Sequence, residues 1–260
     1  MSHPLPRLNV YLIPALADPR QMAGGTAVVI DVLRATTTIV HALAAGAKEV
    51  IPCLTVEQAK EAAPKVLAAN PAGCLLGGER GGVRIEGFDL GNSPREYTAN
   101  VVQGRSILFT TTNGTKAMES CRLAKQILIA GFVNLSAVCR DLSEAETIHI
   151  VCAGTEGEVT REDVLLAGAI VDLLNIDEAE MNDQAQIAVD AWRTAQHGLT
   201  AVPLSERLKA SRGGRNVLRI GMEDDIEIAA TLDLFDFAPR LDVGTWRITG
   251  TKHHPIDAPP

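Results

Sequence analysis

The segment DVLRATTT at residues 31–38 brings an acid, a base and three hydroxyl side chains together within eight residues. It overlaps the end of the apolar run TAVVIDVL at 26–33, which has the composition of a buried strand. Ligands of open α/β sheets bind at the carboxyl ends of the strands, so Asp31 and Arg34 are candidates for binding a metal ion or a phosphate group. A strand-end Asp followed by a Thr-capped helix is the alternative, and the spacing leaves both open.

The longest polar stretch, GGERGGVRIEGFDLGNSP at residues 77–94, also follows a predicted strand, 74–78. Its carboxylates could hold Mg²⁺, which prefers oxygen ligands, and its glycines let backbone amides approach an anion. The interleaved Ile85, Phe88 and Leu90 argue against the alternative of a disordered surface loop. The candidate metal ligands here are Glu79, Glu86 and Asp89, and the candidate anion ligands are Arg80, Arg84, Asn92 and Ser93.

A third polar segment, TTNGT, closes the predicted strand 106–111 and precedes a predicted helix. The N–H groups at a helix N-terminus have no partner within the helix and readily bind anions. An Asn-capped helix with a Gly turn explains the same letters. The candidate anion ligands are Thr112, Asn113, Gly114 and Thr115.

The segment CAGTEGEVTRED follows a fourth predicted strand, 147–152. Gly154 is a candidate substrate ligand, and Glu162 or Asp163 could serve as a metal ligand or base. Thr160 with Asp163 also fits a helix capping box, which is a purely structural role. For Cys152, a buried structural thiol is favoured over a nucleophile.

Alternating strands and helices position these four loops. Apolar strands separated by helical segments predict an α/β fold, with a mainly parallel sheet flanked by helices on both faces. From residue 178 to about 240 the pattern is mainly helical, with a polar, Gly-containing break at 211–216. We therefore expect a single domain, 1–260, with a helical C-terminal portion and a loose, Pro-rich tail at 253–260.

Composition and charge exclude several classes of binding partner. The 260 residues carry a formal charge of −8, so nucleic acid, which needs a basic face, is not expected. The five widely spaced cysteines form no CxxC pair and fit reduced thiols in the cytoplasm. No His pair has zinc-ligand spacing. Neither a signal peptide nor a membrane-spanning run is recognisable, and a membrane partner is not expected.

Residue chemistry alone therefore points to a polyanionic ligand with Mg²⁺, and to phosphoryl chemistry. Taken together and in this order, the loops resemble the 2-phosphosulfolactate phosphatase family. The matching segments are DVLRATTT, GERGG…IEGFDLGNSPREY, TTNGT, CAGTEG…REDVLLAG and SRGG…L…G…DDI, and the resemblance spans roughly residues 26–240.

The resemblance implies a family-specific α/β topology, a homodimer and a Mg²⁺-dependent acid phosphatase. Its substrate would be (2R)-2-phospho-3-sulfolactate, hydrolysed to 3-sulfolactate and phosphate in coenzyme M biosynthesis. Asp31, Arg34, Glu79 and Arg80 are then the expected catalytic residues. Asp31, Glu79, Glu86 and Asp89 form the expected pool of metal ligands.

Three competing interpretations remain. The enzyme could act on another small phosphorylated hydroxy acid. A haloacid-dehalogenase-type phosphatase would use an Asp-x-Asp pair after the first strand, but the second position here is Leu33. A non-catalytic binding module for a phosphorylated metabolite is disfavoured, because carboxylates beside the anion loops repel an anion unless a metal intervenes.

Overall fold

The structure is a computed structural model that describes residues 7–197 and 202–250. Within these ranges ten strands form one mainly parallel sheet with helices on both faces, which confirms the predicted α/β class. The strands are β1 Arg7–Tyr11, β2 Thr26–Ile30, β3 Glu49–Pro52, β4 Cys74–Arg80, β5 Val83–Arg84, β6 Ser106–Thr110, β7 Gln126–Ala130, β8 Thr147–Cys152, β9 Arg240–Asp242 and β10 Arg247–Thr249.

The helices of the described ranges are α1 Ala35–Ala44, α2 Val56–Ala69, α3 Ala99–Val102, α4 Gly114–Ser120, α5 Leu135–Leu142, α6 Arg161–Leu174, α7 Asp183–His197, α8 Leu204–Lys209, α9 Arg212–Arg219 and α10 Glu223–Ala229. None of them is long and apolar enough to cross a membrane. The tail predicted to be loose, 253–260, lies outside the described residues.

The sheet consists of two parallel groups joined by an antiparallel hairpin, in the order β1-β8-β2-β7-β9-β10-β3-β6-β4-β5. The hairpin β9–β10 pairs with β7 on one side and with β3 on the other, both antiparallel. Each of its strands has only three residues, too few for a recognisable alternation, so the sequence pattern missed them.

Alternation along the strands divides the core between the two faces of the sheet. In β2, Val28 and Ile30 join a cluster with α5, α6 and α7, whereas Ala27 and Val29 join a cluster with α1 and α4. Small and branched aliphatic side chains dominate both clusters, as the 3% aromatic content requires. Packing on both faces explains why the strands read as continuous apolar runs.

The sheet must curl to bring its loops together. Five strand-to-strand steps separate β2 from β6, about 24 Å in a flat sheet at about 4.8 Å per step. Yet a methyl group added to Gly114, just beyond β6, would lie 2.8 Å from Oδ2 of Asp31, just beyond β2. Curling therefore places the carboxyl ends of distant strands around one space.

Helix α9 replaces the polar break predicted at 211–216. Two glycines in its first turn make the local helix propensity poor. The Ser211 hydroxyl, however, caps the helix by accepting the amide N–H of Gly214 at 3.0 Å. A side chain on Gly214 would lie 1.9 Å from the Leu208 carbonyl oxygen, so close packing requires glycine there and outweighs the propensity.

Candidate functional site

A cavity of about 540 Å³ opens over the carboxyl ends of β2, β4, β6 and β8. Polar segments after all four strands line it, so the loops that the sequence singled out meet at one place. Helix α9 closes another side. The predicted site residues that line the cavity are Asp31, Arg34, Glu79, Asn92, Thr112 and Asn113.

Asp31 is the first residue after β2 and is only 7% exposed. Its Oδ1 accepts the amide N–H of Ala35 at 3.2 Å, which fixes the carboxyl group at the start of α1. Burial raises the pKa of Asp31 to about 7, and the nearby carboxylates of Glu79 and Glu162 act in the same direction. The folded protein therefore holds a carboxyl group whose negative charge burial and its acidic neighbours make unfavourable.

This raised pKa predicts an unusual dependence of stability on pH. Because the pKa of Asp31 is about 7 in the folded protein and about 3.9 when unfolded, its ionisation opposes folding as the pH rises through that window. In EDTA, the unfolding free energy of Asp31→Asn minus that of wild type should therefore increase by about 2–3 kcal/mol from pH 5 to pH 8. Urea unfolding of both proteins at the two pH values measures this increase. A difference in unfolding free energy that is the same at both pH values would contradict the prediction.

Glu79, at the end of β4, holds two cavity walls together. Its Oε2 accepts the amide N–H of Gly82 at 2.6 Å, and its Oε1 accepts that of Thr112 at 2.7 Å. The first bond closes the β4–β5 hairpin, and the second ties that hairpin to the loop after β6. The carboxylate is thus held at the cavity wall in a fixed orientation.

Asp163, in the first turn of α6, joins the loops after β2 and β8. It accepts the amide N–H of Val32 at 2.9 Å, that of Gly154 at 3.0 Å, and the Thr160 hydroxyl at 3.2 Å. Thr160 is the N-cap residue but forms no side-chain cap bond, so the predicted capping box is not formed. Burial, then the charges of Glu162 and Asp31, raises the pKa of Asp163 well above its usual range.

Glu162 connects this acidic group to α9. It is 2% exposed, and burial raises its pKa. A methyl group added to Gly213 would lie 1.9 Å from Glu162 Oε1, so the absence of a side chain there lets the carboxyl group sit against the first turn of α9. Its Oε2 has no hydrogen-bond partner among residues 7–197 and 202–250.

Oxygen atoms suited to a hard cation also line the cavity. The side-chain oxygens of Asn92 and Thr112 are buried and lack a hydrogen-bond partner among the described residues. Within the same ranges no group of three or more His, Cys, Asp or Glu side chains is arranged to hold a metal ion. Mg²⁺ ordinarily uses one or two protein carboxylates and takes its other ligands from water and substrate phosphate. Asp31 and Glu79 with these oxygens fit that requirement.

The basic residues of the cavity lining come mainly from α9. Arg212, Arg215, Asn216 and Arg219 all line the cavity. Their spacing of three, four and seven residues places them on one face of a helix. Residues 211–216 have the composition of a break between helices, so these arginines are not among the predicted site residues. The helical spacing of RGGRNVLR is the signal that identifies them.

Arg212 is already paired across the cavity rim. Its guanidinium donates to Glu158, and to Glu156 at 2.7 Å. The amide N–H of Glu156 in turn donates to the Asn113 side-chain oxygen at 3.2 Å. These contacts give Glu158, whose role the sequence left open, a position between the loop after β8 and α9.

Arg34 lines the cavity, but its donors are largely occupied. The guanidinium is 4% exposed and donates to Asp225 at 2.7 Å and to the Gly82 carbonyl oxygen at 2.7 Å. Asp225 also accepts the Ser93 hydroxyl at 2.7 Å. Arg34 and Ser93 are thus joined through one buried carboxylate of α10.

The remaining predicted site residues lie beside the cavity or away from it. Gly114 leaves room for the Asp31 carboxyl group, and the Gly154 amide N–H donates to Asp163. Thr115 donates its hydroxyl proton to the Thr111 carbonyl oxygen at 3.0 Å and is buried. Four others are exposed and do not line the cavity: Arg80, Arg84, Glu86 and Asp89.

Cys152 is fully buried beneath the site. Burial raises the pKa of its thiol well above the usual range, and the charges of Asp163 and Glu162 act in the same direction. Because the thiolate is the nucleophilic form of cysteine, this residue is unsuited to covalent catalysis.

Comparison with known proteins agrees with this geometry. Residues 11–244 match the family described as 2-phosphosulpholactate phosphatase, a range that includes every loop lining the cavity. A protein of Thermotoga petrophila named "Probable 2-phosphosulfolactate phosphatase" is 42% identical over 221 residues, covering 85% of this chain and 91% of that protein. Proteins with the same name from Symbiobacterium thermophilum and Deinococcus radiodurans are 43% and 40% identical, covering 86% and 92% of this chain and 94% of each relative.

Proposed function

Because the chain belongs to the 2-phosphosulpholactate phosphatase family and is therefore a phosphoric monoester hydrolase, we propose that it hydrolyses (2R)-2-phospho-3-sulfolactate with the help of Mg²⁺. The products are 3-sulfolactate and phosphate. The observation that carries the proposal is one cavity lined both by the carboxylates of Asp31 and Glu79, here called the acidic wall, and by the arginines of α9.

The acidic wall supports a metal-dependent reaction. A dianionic phosphate cannot approach Asp31 and Glu79 closely unless a cation lies between them. When bound, Mg²⁺ would supply charge neutralisation at the phosphate oxygens and orient the groups of an in-line displacement. Asp31 and Glu79 are the proposed ligands, with the unpartnered oxygens of Asn92 and Thr112 close by in the cavity lining.

The chain's own groups set the geometry of the reaction. Glu79 is oriented by two backbone amides, and Asp31 by a third, so neither carboxylate needs to reorganise when substrate binds. Phosphate monoester hydrolysis is among the slowest uncatalysed reactions, so preorganised charge has a large barrier to lower. Asn113, fixed to the Glu156 amide, lines the same space and is available to the substrate through its side-chain N–H groups.

The family resemblance extends the proposal beyond the reaction. We place the enzyme in the cytoplasm as a homodimer, and the reaction in coenzyme M biosynthesis. Light scattering measures the oligomeric state directly. Another small phosphorylated hydroxy acid is the alternative substrate, and a binding module without turnover is the alternative function.

A panel of esters tests substrate and chemistry together. Phosphate release is measured from phosphosulfolactate, phospholactate and phosphoglycolate at saturating Mg²⁺. We expect the highest kcat/KM with phosphosulfolactate. Faster release from another ester would retain the chemistry and replace the substrate, whereas binding of the esters without any release would favour the binding module.

A further inference from the structure

Three arginines of α9 share the face that lines the cavity. Arg212, Arg215 and Arg219 line the cavity together. The charge of Arg212 is matched by Glu156 and Glu158 at the rim. Neither Arg215 nor Arg219 forms an ion pair with any other residue that the structure describes. Two positive charges therefore face the cavity without a protein counter-charge.

The existing contacts of these two side chains leave donors free. Arg215 donates one bond to the Ala210 carbonyl oxygen, and Arg219 donates one to the Asn216 side chain. A guanidinium has five N–H donors in a planar fork, so each retains several for a ligand. Both side chains are exposed to the cavity and the solvent, and an incoming anion can reach them.

The proposed substrate carries two anionic groups besides its phosphate, a carboxylate and a sulfonate. Its phosphate group needs the acidic wall and a cation, whereas its sulfonate is a permanent monoanion with three oxygens. Arginine remains protonated at any ordinary pH. The attraction between sulfonate and guanidinium is therefore permanent, and two arginines one helical turn apart can bind different oxygens of one sulfonate.

Contacts at its first turn keep α9 in place for this role. Ser211 caps it, and Gly213 and Gly214 allow close contact with Glu162 and with the Leu208 carbonyl oxygen. Val217, on the inner face, is 4% exposed. The helix is thereby fixed against Glu162, whose charge also acts on Asp31.

From these observations we infer that Arg215 and Arg219 form the sulfonate subsite and determine the specificity of the enzyme for the sulfonated ester. The inference rests on the proposed function, since it concerns the same substrate. It adds the side chains that distinguish this ester from phospholactate, which has a methyl group where the sulfonate is attached.

The test compares Arg215→Gln and Arg219→Gln with wild type on phosphosulfolactate and phospholactate. Each loss of a charged hydrogen-bond partner should lower kcat/KM for the sulfonated ester by about 10- to 100-fold. The decrease in kcat/KM for phospholactate should be at least about tenfold smaller. Arg105→Gln, at the amino end of β6 away from the cavity, is the matched control for the chemical change. Equal losses on both esters, or an unchanged preference, would overturn the inference.

Calorimetry with 3-sulfolactate separates this inference from the proposed function, because binding of the product needs no turnover. Binding that weakens about 10- to 100-fold in either variant, with lactate binding affected less, supports the subsite even if wild type cleaves neither ester. Normal hydrolysis of phosphosulfolactate together with wild-type sulfolactate affinity in both variants would reject the subsite and keep the function. No binding of sulfolactate to wild type would also reject the subsite.

Discussion

Asp31→Asn should lower kcat for phosphosulfolactate by about 10³-fold while the protein remains folded, because the metal site would lose several kcal/mol of charge stabilisation. Asn retains an oxygen that can accept the Ala35 amide, so the start of α1 should be unaffected. The substitution also removes a carboxyl group whose ionisation burial makes unfavourable. The variant should therefore have very low activity and, near pH 8 in EDTA, be more stable than wild type. Steady-state phosphate release and urea unfolding measure the two effects.

Asp89→Asn is the matched comparison for that variant. Asp89 is exposed, lies outside the cavity, and accepts the Leu76 amide N–H through Oδ2 at 2.8 Å. The sequence suggested it as a metal ligand, whereas the geometry favours Asp31 and Glu79 for that role. We expect Asp89→Asn to retain a rate close to wild type. A large loss with Asp89→Asn and full activity with Asp31→Asn would reverse the assignment.

Loss of the buried ion pair between Arg34 and Asp225 should cause the largest decrease in the free energy of unfolding. The two side chains are 4% and 1% exposed, and Asp225 also accepts the Ser93 hydroxyl. Asp225→Asn leaves the Arg34 charge buried without its counter-charge, and such a loss costs about 3–5 kcal/mol. Urea unfolding of wild type and variant at neutral pH measures the difference.

The neighbouring residue supplies the control. Asp224 pairs with Arg95, but both side chains are more than half exposed. Surface pairs of this kind contribute little, so Asp224→Asn should leave the free energy of unfolding nearly unchanged. Similar losses from Asp224→Asn and Asp225→Asn would show that burial of the Arg34 pair is not what makes it important.

The convergence of the polar loops was predictable from the sequence. Each loop follows an apolar run, and parallel strands present their carboxyl ends at the same edge of a sheet. Three such loops contribute residues to the lining of the same cavity, namely Asp31, Glu79, Thr112 and Asn113. The positions of the strand ends in the sequence were sufficient to predict that the loops meet, although the order of the strands in the sheet could not be derived.

The parts that the sequence did not reveal depend on contacts between distant segments. Arg34 looked free to bind an anion, but its partner Asp225 lies 191 residues later. Segment 211–216 looked like a break, because propensity counts its glycines against a helix, whereas packing against Glu162 and Leu208 requires them. Glu86 and Asp89 shared a loop with Glu79, and sequence proximity did not place them at the cavity.

The most direct test of the central claim is Mg²⁺ titration into EDTA-treated enzyme with phosphosulfolactate as substrate. Phosphate release is followed at each metal concentration. We expect no release above background without metal, and saturable recovery of activity as Mg²⁺ is added back. Release that continues at the full rate in EDTA would contradict this expectation, because the acidic wall would then have to receive the phosphate without a cation.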